Sequence, residues 1–231
     1  NNNIFLYFLR RFDCFCYVSD EMIPKIKHKV PRRIHHIQTN CGVDLEKFIN
    51  INPSQQRKKQ ILAIGSFRWE KDYPTMINAI KKVFLIYNDY ELKIIGDGYL
   101  KDEIKLIIDK NNLAHRVKLC GIKSREFIVN EMVNSKLFLL SSISEGMPKV
   151  ILEARACSLP IVSTDVGACR KAVGNAGIIV KPGAPEMLAN AILDILTNEN
   201  KYNQYVENCL DGISEFSWAT NTRKLEKIFS F

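Results

Sequence analysis

From Gln60 onward, short apolar runs alternate with longer stretches in which apolar residues recur every three or four positions. Ile61–Ile64, Glu91–Ile95, Arg116–Cys120, Leu137–Leu140, Ile161–Ser163 and Ile178–Val180 are short and apolar, and they predict strands. Gly65, Gly96 and Gly121 end the first three. Pro74 opens a predicted helix through Ile77, Ile80, Val83 and Phe84, and another runs from about Leu100 to Lys110. Ser124 is placed to cap a third helix reaching about Val133. Pro148 stands near the first turn of a fourth, and Pro185 opens a fifth through Leu188, Ile192 and Ile195. Strands separated by helices in this way imply an α/β fold with a parallel, doubly wound sheet. The loops at the strand C-termini, with Gly65, Gly96, Gly121, Glu145 and Gly167, then share one edge, where ligands bind in such sheets.

Residues 1–59 lack this rhythm. Phe15–Ser19 and Ile34–Ile37 read as strands, Glu21–Lys29 as a short helix, and the polar stretch Ile49–Lys59 as a linker. Ile4–Leu9 is too short to span a membrane, and its charges follow the apolar run, the reverse of a signal peptide. The chain starts at Asn1, which suggests a fragment.

Composition adds a little. With 33 basic and 25 acidic residues the net charge is +8, which suits a phosphorylated ligand, an anionic membrane face or nucleic acid, or is simply a solvated surface. No aromatic residues interleave with the basic run from Lys25 to Arg33 or with Arg57, Lys58 and Lys59, so nucleic acid is not expected. Seven cysteines without CxxC spacing predict neither a disulfide framework nor a zinc site, but buried thiols in a reducing cytoplasm. His35 and His36 have no partner motif, and no metal site is expected.

The densest chemistry lies in Ser144-Glu145-Gly146-Met147-Pro148-Lys149-Val150-Ile151-Leu152-Glu153. Glu145 follows the fourth strand and Glu153 falls about two turns into the next helix. A carboxylate at the strand end can accept hydrogen bonds from sugar hydroxyls, and one further along can accept two from a ribose diol. N–H groups at the helix start between them favour an anion such as a diphosphate. Arg68 and Lys71, just after Gly65, read either as phosphate ligands or as solvated charges. Gly96 and Gly98 read either as ligand-binding or as a tight turn, Gly167 either as a turn or as a close approach to ligand, and Trp69 as packing.

These segments resemble family 4 glycosyltransferases, which have two Rossmann-like domains in the glycosyltransferase-B arrangement. The glutamates match that family's E-x7-E region, Gly65 to Pro74 its first phosphate loop, Gly96-Asp97-Gly98 and Ser163 to Gly167 two further loops. Asn40-Cys41-Gly42-Val43-Asp44 with Phe48 is similar to its interdomain signature, and Phe216-Ser217-Trp218 to the start of its closing helix. The resemblance implies residues 1–49 as a remnant of the acceptor domain with the interdomain linker, 50–215 as a donor-binding domain and 216–231 as the closing helix. It implies a retaining enzyme that needs no metal or other cofactor. Arg68 and Lys71 would neutralise the diphosphate, Glu145 would bind the donor sugar and Glu153 the ribose. Gly65, Gly146, Met147, Pro148, Lys149, Val150 and Ile151 would line the donor, and Gly121 and Ile122 the base, with Arg125 stacked on it. UDP is the commonest donor nucleotide in that family and GDP the runner-up.

By the same resemblance, the acceptor is a saccharide or lipid-linked, in polysaccharide, capsule or lipopolysaccharide assembly. The setting is the cytoplasm, with peripheral contact at the inner membrane face. Ser66, Arg155, Ser158 and Lys171 depart from the family pattern. Only about forty residues precede Asn40, so most of the acceptor domain is expected to be missing. The competing readings are an inactive donor-domain remnant and a related nucleotide-sugar epimerase.

Overall fold

The computed structural model describes residues 12, 14–17, 35–38, 42–48 and 57–229. Its elements are β1 (Cys14–Tyr17), β2 (His35–Gln38), β3 (Lys58–Ile64), α1 (Tyr73–Ile86), β4 (Glu91–Ile95), α2 (Lys101–Lys110), β5 (Val117–Leu119) and α3 (Arg125–Asn134). They continue as β6 (Ser135–Leu140), α4 (Lys149–Ala156), β7 (Ile161–Thr164), α5 (Cys169–Val173), β8 (Gly177–Val180), α6 (Pro185–Thr197), α7 (Glu199–Asn208) and α8 (Trp218–Phe229). β1 and β2 pair in parallel, Cys14 opposite His35. The other strands form one parallel sheet in the order β5-β4-β3-β6-β7-β8.

All six expected strands are present. β3 begins at Lys58, so Lys58 and Lys59 are strand residues and not linker. The expected helix over Glu21–Lys29 lies outside the described residues, as do Val18, Ser19, Asn40 and Cys41. Side chains alternate across the sheet, so the two faces bury different residues of the same strand. Ile61, Ala63, Leu92, Ile94, Leu137 and Leu139 face α1, α2, α6 and α7. Leu62, Ile95, Phe138 and Leu140 face α3, α4 and α5, together with Val43 and Phe48. Burial on both faces explains why these strands are unbroken apolar runs.

Local chemistry sets the helix starts. Asp72, at φ +45°, accepts a hydrogen bond from Thr75 N at 3.2 Å, and Pro74 occupies the first turn of α1. Ser124 accepts from Phe127 N at 3.3 Å, as its spacing predicts. The helices α5 and α7 were not evident from periodicity: α5 has five residues, and Tyr202 is the one buried residue named on α7. Val43 bridges to Ser217, with Val43 N donating to Phe216 O at 2.8 Å, which joins the segment 42–44 to the entry of α8.

The cysteines only partly follow expectation. Cys157, Cys169 and Cys209 are buried, and burial raises their thiol pKa values, Cys169 to about 11 and the other two to about 12. Cys16, however, is exposed and Cys14 only half-buried, because β1 belongs to a two-stranded sheet. No helix among the described residues is long and apolar enough to cross a membrane.

Candidate functional site

Strand order reverses between β3 and β6, and a parallel sheet binds ligands in the crevice this opens at the strand C-termini. The loop after β3 carries Lys71 and the loop after β6 carries Glu145. Lys71 Nζ reaches Glu145 Oε1 at 2.5 Å, so the pair spans the switch point. Both side chains are largely buried. The two loops are tied through their backbones: Ile143 N donates to Glu70 O at 2.8 Å, and Ser141 Oγ to Lys71 O at 2.7 Å and Asp72 O at 3.0 Å. Ser142 Oγ donates to the same carboxylate oxygen, Glu145 Oε1, at 2.7 Å, so that oxygen is held by both loops. Thr164 Oγ1 donates to Ser142 O at 2.5 Å and carries the bracing to β7.

Glycines let neighbouring loops approach. Gly96 has φ +152°, and a Cβ there would lie 1.9 Å from Gly65 O. Gly167 has φ +53°, and a Cβ there would lie 2.0 Å from Glu145 O. Both contacts are protein against protein, so loop packing by itself requires glycine at these two positions. Phe67 N donates to Asp97 O at 2.9 Å and Leu100 N to Phe67 O at 3.1 Å, and Gly96 N donates to Gly121 O at 3.0 Å. The loops after β3, β4 and β5 are thus laced together.

The helix α4 starts beside the pair. Pro148 precedes it and has no N–H, and Lys149 and Val150 lie in its first turn, where N–H groups have no acceptor earlier in the helix. Met147 and Pro148 are buried, Gly146 is exposed, and Ile151 is buried in the core below. Lys149 Nζ lies 5.5 Å from the centre of the Trp218 ring, so the first residue of α4 meets the first residue of α8. Glu153 is half-buried, and its carboxylate makes no hydrogen bond among the described residues. Burial raises its pKa, opposed by the charges of Arg125 and Lys149. Tyr73 donates to Gly65 O at 2.9 Å, and burial, with the Glu145 charge, pushes its phenol pKa up.

Other expected residues stand further out. Arg68 is exposed, and its side chain has no partner among the described residues. Gly121 and Ile122 follow β5, with Ile122 81% exposed. Arg125 lies over the Phe48 ring at 4.9 Å, so one face of its guanidinium is already taken. Trp69, expected to pack, is 59% exposed, because its short 3-10 turn stands on the rim of the crevice and buries none of its residues. Sequence reasoning passed over Ser141, Ser142, Tyr73 and Thr164. The serine pair ending the apolar run of β6 was the available signal, since polar residues at that point face the ligand edge.

Three departures from the family pattern have local explanations. Arg155 is buried and donates to Ala172 O at 2.9 Å, Cys209 O at 3.0 Å and Asp211 O. Ser158 takes a left-handed conformation, φ +52°, which glycine adopts without strain. Lys171 is exposed on α5.

Comparison with known proteins agrees with this architecture. HepE of Anabaena, solved in complex with UDP and glucose, superposes with a TM-score of 0.85 at 20% identity, over 100% of this chain and 67% of that one. An uncharacterized glycosyltransferase of Methanocaldococcus jannaschii is 32% identical over 170 residues, 73% of this chain and 47% of its own length. A UDP-Gal:alpha-D-GlcNAc-diphosphoundecaprenol alpha-1,3-galactosyltransferase of Escherichia coli is 29% identical over 235 residues, 95% of this chain and 59% of its own. The chain therefore spans about half the length of these curated relatives. Residues 44–210, which hold the six-stranded sheet and every loop of the crevice, match the family described as "Glycosyl transferases group 1". With that match covering most of the chain, and with the fold and relatives in agreement, this protein belongs to the glycosyl transferases group 1 family.

Proposed function

We propose that this chain is the nucleotide-sugar-binding part of a retaining glycosyltransferase. The observation that carries the reading is the Lys71–Glu145 pair across the switch point, beside the first turn of α4. Residues 50–215 then form the donor-binding unit and 216–231 the closing helix. Residues 1–49 belong to the acceptor side and the linker.

In this reading the donor's diphosphate lies against the N–H groups of Lys149 and Val150, over Gly146, Met147 and Pro148. Lys71 and Arg68 neutralise it. Charge grows on the diphosphate as the sugar leaves, and cations fixed in advance lower that barrier without reorganising. Glu145, held by Lys71 and Ser142, accepts hydrogen bonds from the donor sugar. Glu153 accepts from the ribose diol, and the base lies by Gly121 and Ile122. The reading asks for no metal or other cofactor, since side chains and a helix N-terminus meet the charge. UDP-sugar is the favoured donor, in keeping with the UDP named for HepE and the UDP-Gal named for the Escherichia coli relative. That relative's named acceptor, a saccharide on diphosphoundecaprenol, supports a saccharide or lipid-linked acceptor here. The setting is polysaccharide assembly in the cytoplasm, with peripheral contact at the membrane.

Calorimetric titration with UDP, GDP and ADP tests this. Saturable binding of UDP, lost in Lys71→Ala, is expected. Glu153→Ala should weaken bare UDP, whereas Glu145→Ala should spare it and act only on the sugar. A folded chain that binds none of the nucleotides would overturn the reading, and equal loss of UDP binding in both glutamate variants would sink the division of roles.

A further inference from the structure

Trp69 and Tyr99 are large aromatic side chains that the protein holds out of its core. Trp69 is 59% and Tyr99 68% exposed. They are neighbours, with Trp69 N donating to Tyr99 OH at 3.4 Å. Their backbones are well fixed, because the loop after β3 and the loop after β4 are laced by the Phe67–Asp97 and Leu100–Phe67 hydrogen bonds. Exposed aromatic rings on rigid loops mark a recognition surface more often than a packing failure.

We propose that Trp69 and Tyr99 form a ledge that stacks one sugar ring of the acceptor, placed on the donor-binding part of the protein. This rests on the reading of the Lys71–Glu145 pair as the donor-sugar end of the site. Trp69 is two residues from Lys71, and at about 3.3 Å per residue its backbone lies within about 7 Å of that lysine's. A ring on the ledge would then lie on the Lys71 side of the crevice, near the transferred sugar. A sugar ring offers a C–H face and a hydroxyl edge. Tryptophan and tyrosine match both, since each has a flat apolar face and a polar tip.

Ligand-observed saturation-transfer NMR on this chain, with UDP present, tests the ledge. The probes are methyl glycosides of glucose, galactose, N-acetylglucosamine and N-acetylgalactosamine. Trp218→Phe supplies a background in which Trp69 is the remaining tryptophan, so its fluorescence reports the same event. At least one glycoside should receive saturation, strongest on the C–H protons of one ring face, and shift the Trp69 emission. Trp69→Ala and Tyr99→Ala should weaken that binding about tenfold, the loss of one good aromatic stack. Tyr99→Phe should keep most of it, because the ring and not the hydroxyl does the stacking. UDP affinity should be the same in all three.

UDP binding with no transfer to any glycoside, or transfer unchanged by Trp69→Ala, would overturn the ledge and leave the donor reading intact. Trp69-dependent glycoside binding in a chain that ignores UDP would uphold the ledge and count against the donor reading. Matched thermal midpoints identify any variant that fails to fold.

Discussion

The two edges of the six-stranded sheet use their cations in opposite ways. At the N-terminal edge, Arg57 donates to Cys157 O, Ser158 O, Ser135 O and Met132 O at 2.8–3.1 Å. Arg116 there donates to Tyr90 O at 2.6 Å and to Phe84 O and Tyr87 O, and lies 3.7 Å from the centre of the Phe84 ring. At the C-terminal edge, Arg68 has no partner among the described residues, and Lys71 has the single carboxylate of Glu145. Guanidinium groups saturated by backbone carbonyls are committed to the fold. Cations with capacity to spare are available to an anion. The comparison thus separates arginines that hold strands from arginines and lysines that can hold a ligand, although the sequence presents both alike.

The sharpest test of this contrast is a third committed guanidinium, Arg155, which is 3% exposed. Arg155→Met leaves the buried carbonyls of Ala172 and Cys209, and the more exposed one of Asp211, without this donor and should lower stability by about 3 kcal/mol, read from the urea midpoint. A loss under about 1 kcal/mol would show that these carbonyls find other partners.

Arg68→Ala is the converse. Unfolding should stay within about 0.5 kcal/mol of the parent, as for an exposed side chain without contacts. UDP affinity should fall about tenfold, the usual size of one charge-assisted hydrogen bond. Unchanged affinity would return Arg68 to the solvated surface.

Ser158→Gly should stabilise by about 0.5–1 kcal/mol, since relief of left-handed strain outweighs the extra entropy of an unfolded glycine. Thermal unfolding reads this, and a loss would mean that the serine side chain repays its own strain.

The smallest effect concerns Glu153 and depends on pH. Its folded pKa lies above the ordinary value of 4.5 because burial disfavours the charge. Below that value both folded and unfolded states are protonated and the burial costs nothing. As pH rises from there through the folded pKa, the wild type loses stability, because its folded state holds the proton more tightly. Glu153→Gln should therefore unfold at a higher temperature than the parent near neutral pH, and the gain should vanish in acid. A gain that is constant with pH would assign the effect to packing.

Much of the fold was legible in sequence because it is written in local periodicity. The strands β3, β4, β6 and β7 are apolar runs buried on both sides, and Ser124 and Pro148 announced their helix starts by residue type alone. α5 was not legible, because five residues are too few to show a period. The candidate site divides similarly. Glu145, Glu153, Lys71 and Gly65 stood out by their positions after strands and in a familiar order. Ser142 and Thr164 did not, because their importance lies in donating to a carboxylate and to a carbonyl across the sheet edge.

The sequence by itself determined the alternation of strand and helix, hence a parallel sheet with its loops on one edge. Hydrophobic period and turn chemistry are properties of neighbouring residues. Only the tertiary structure decided that Lys71 meets Glu145, that Arg155 is buried while Trp69 is not, and that Gly96 and Gly167 are required by neighbouring backbone. Those outcomes depend on which strands lie side by side, and strand order is fixed by the burial of both sheet faces at once, which is a property of the whole chain.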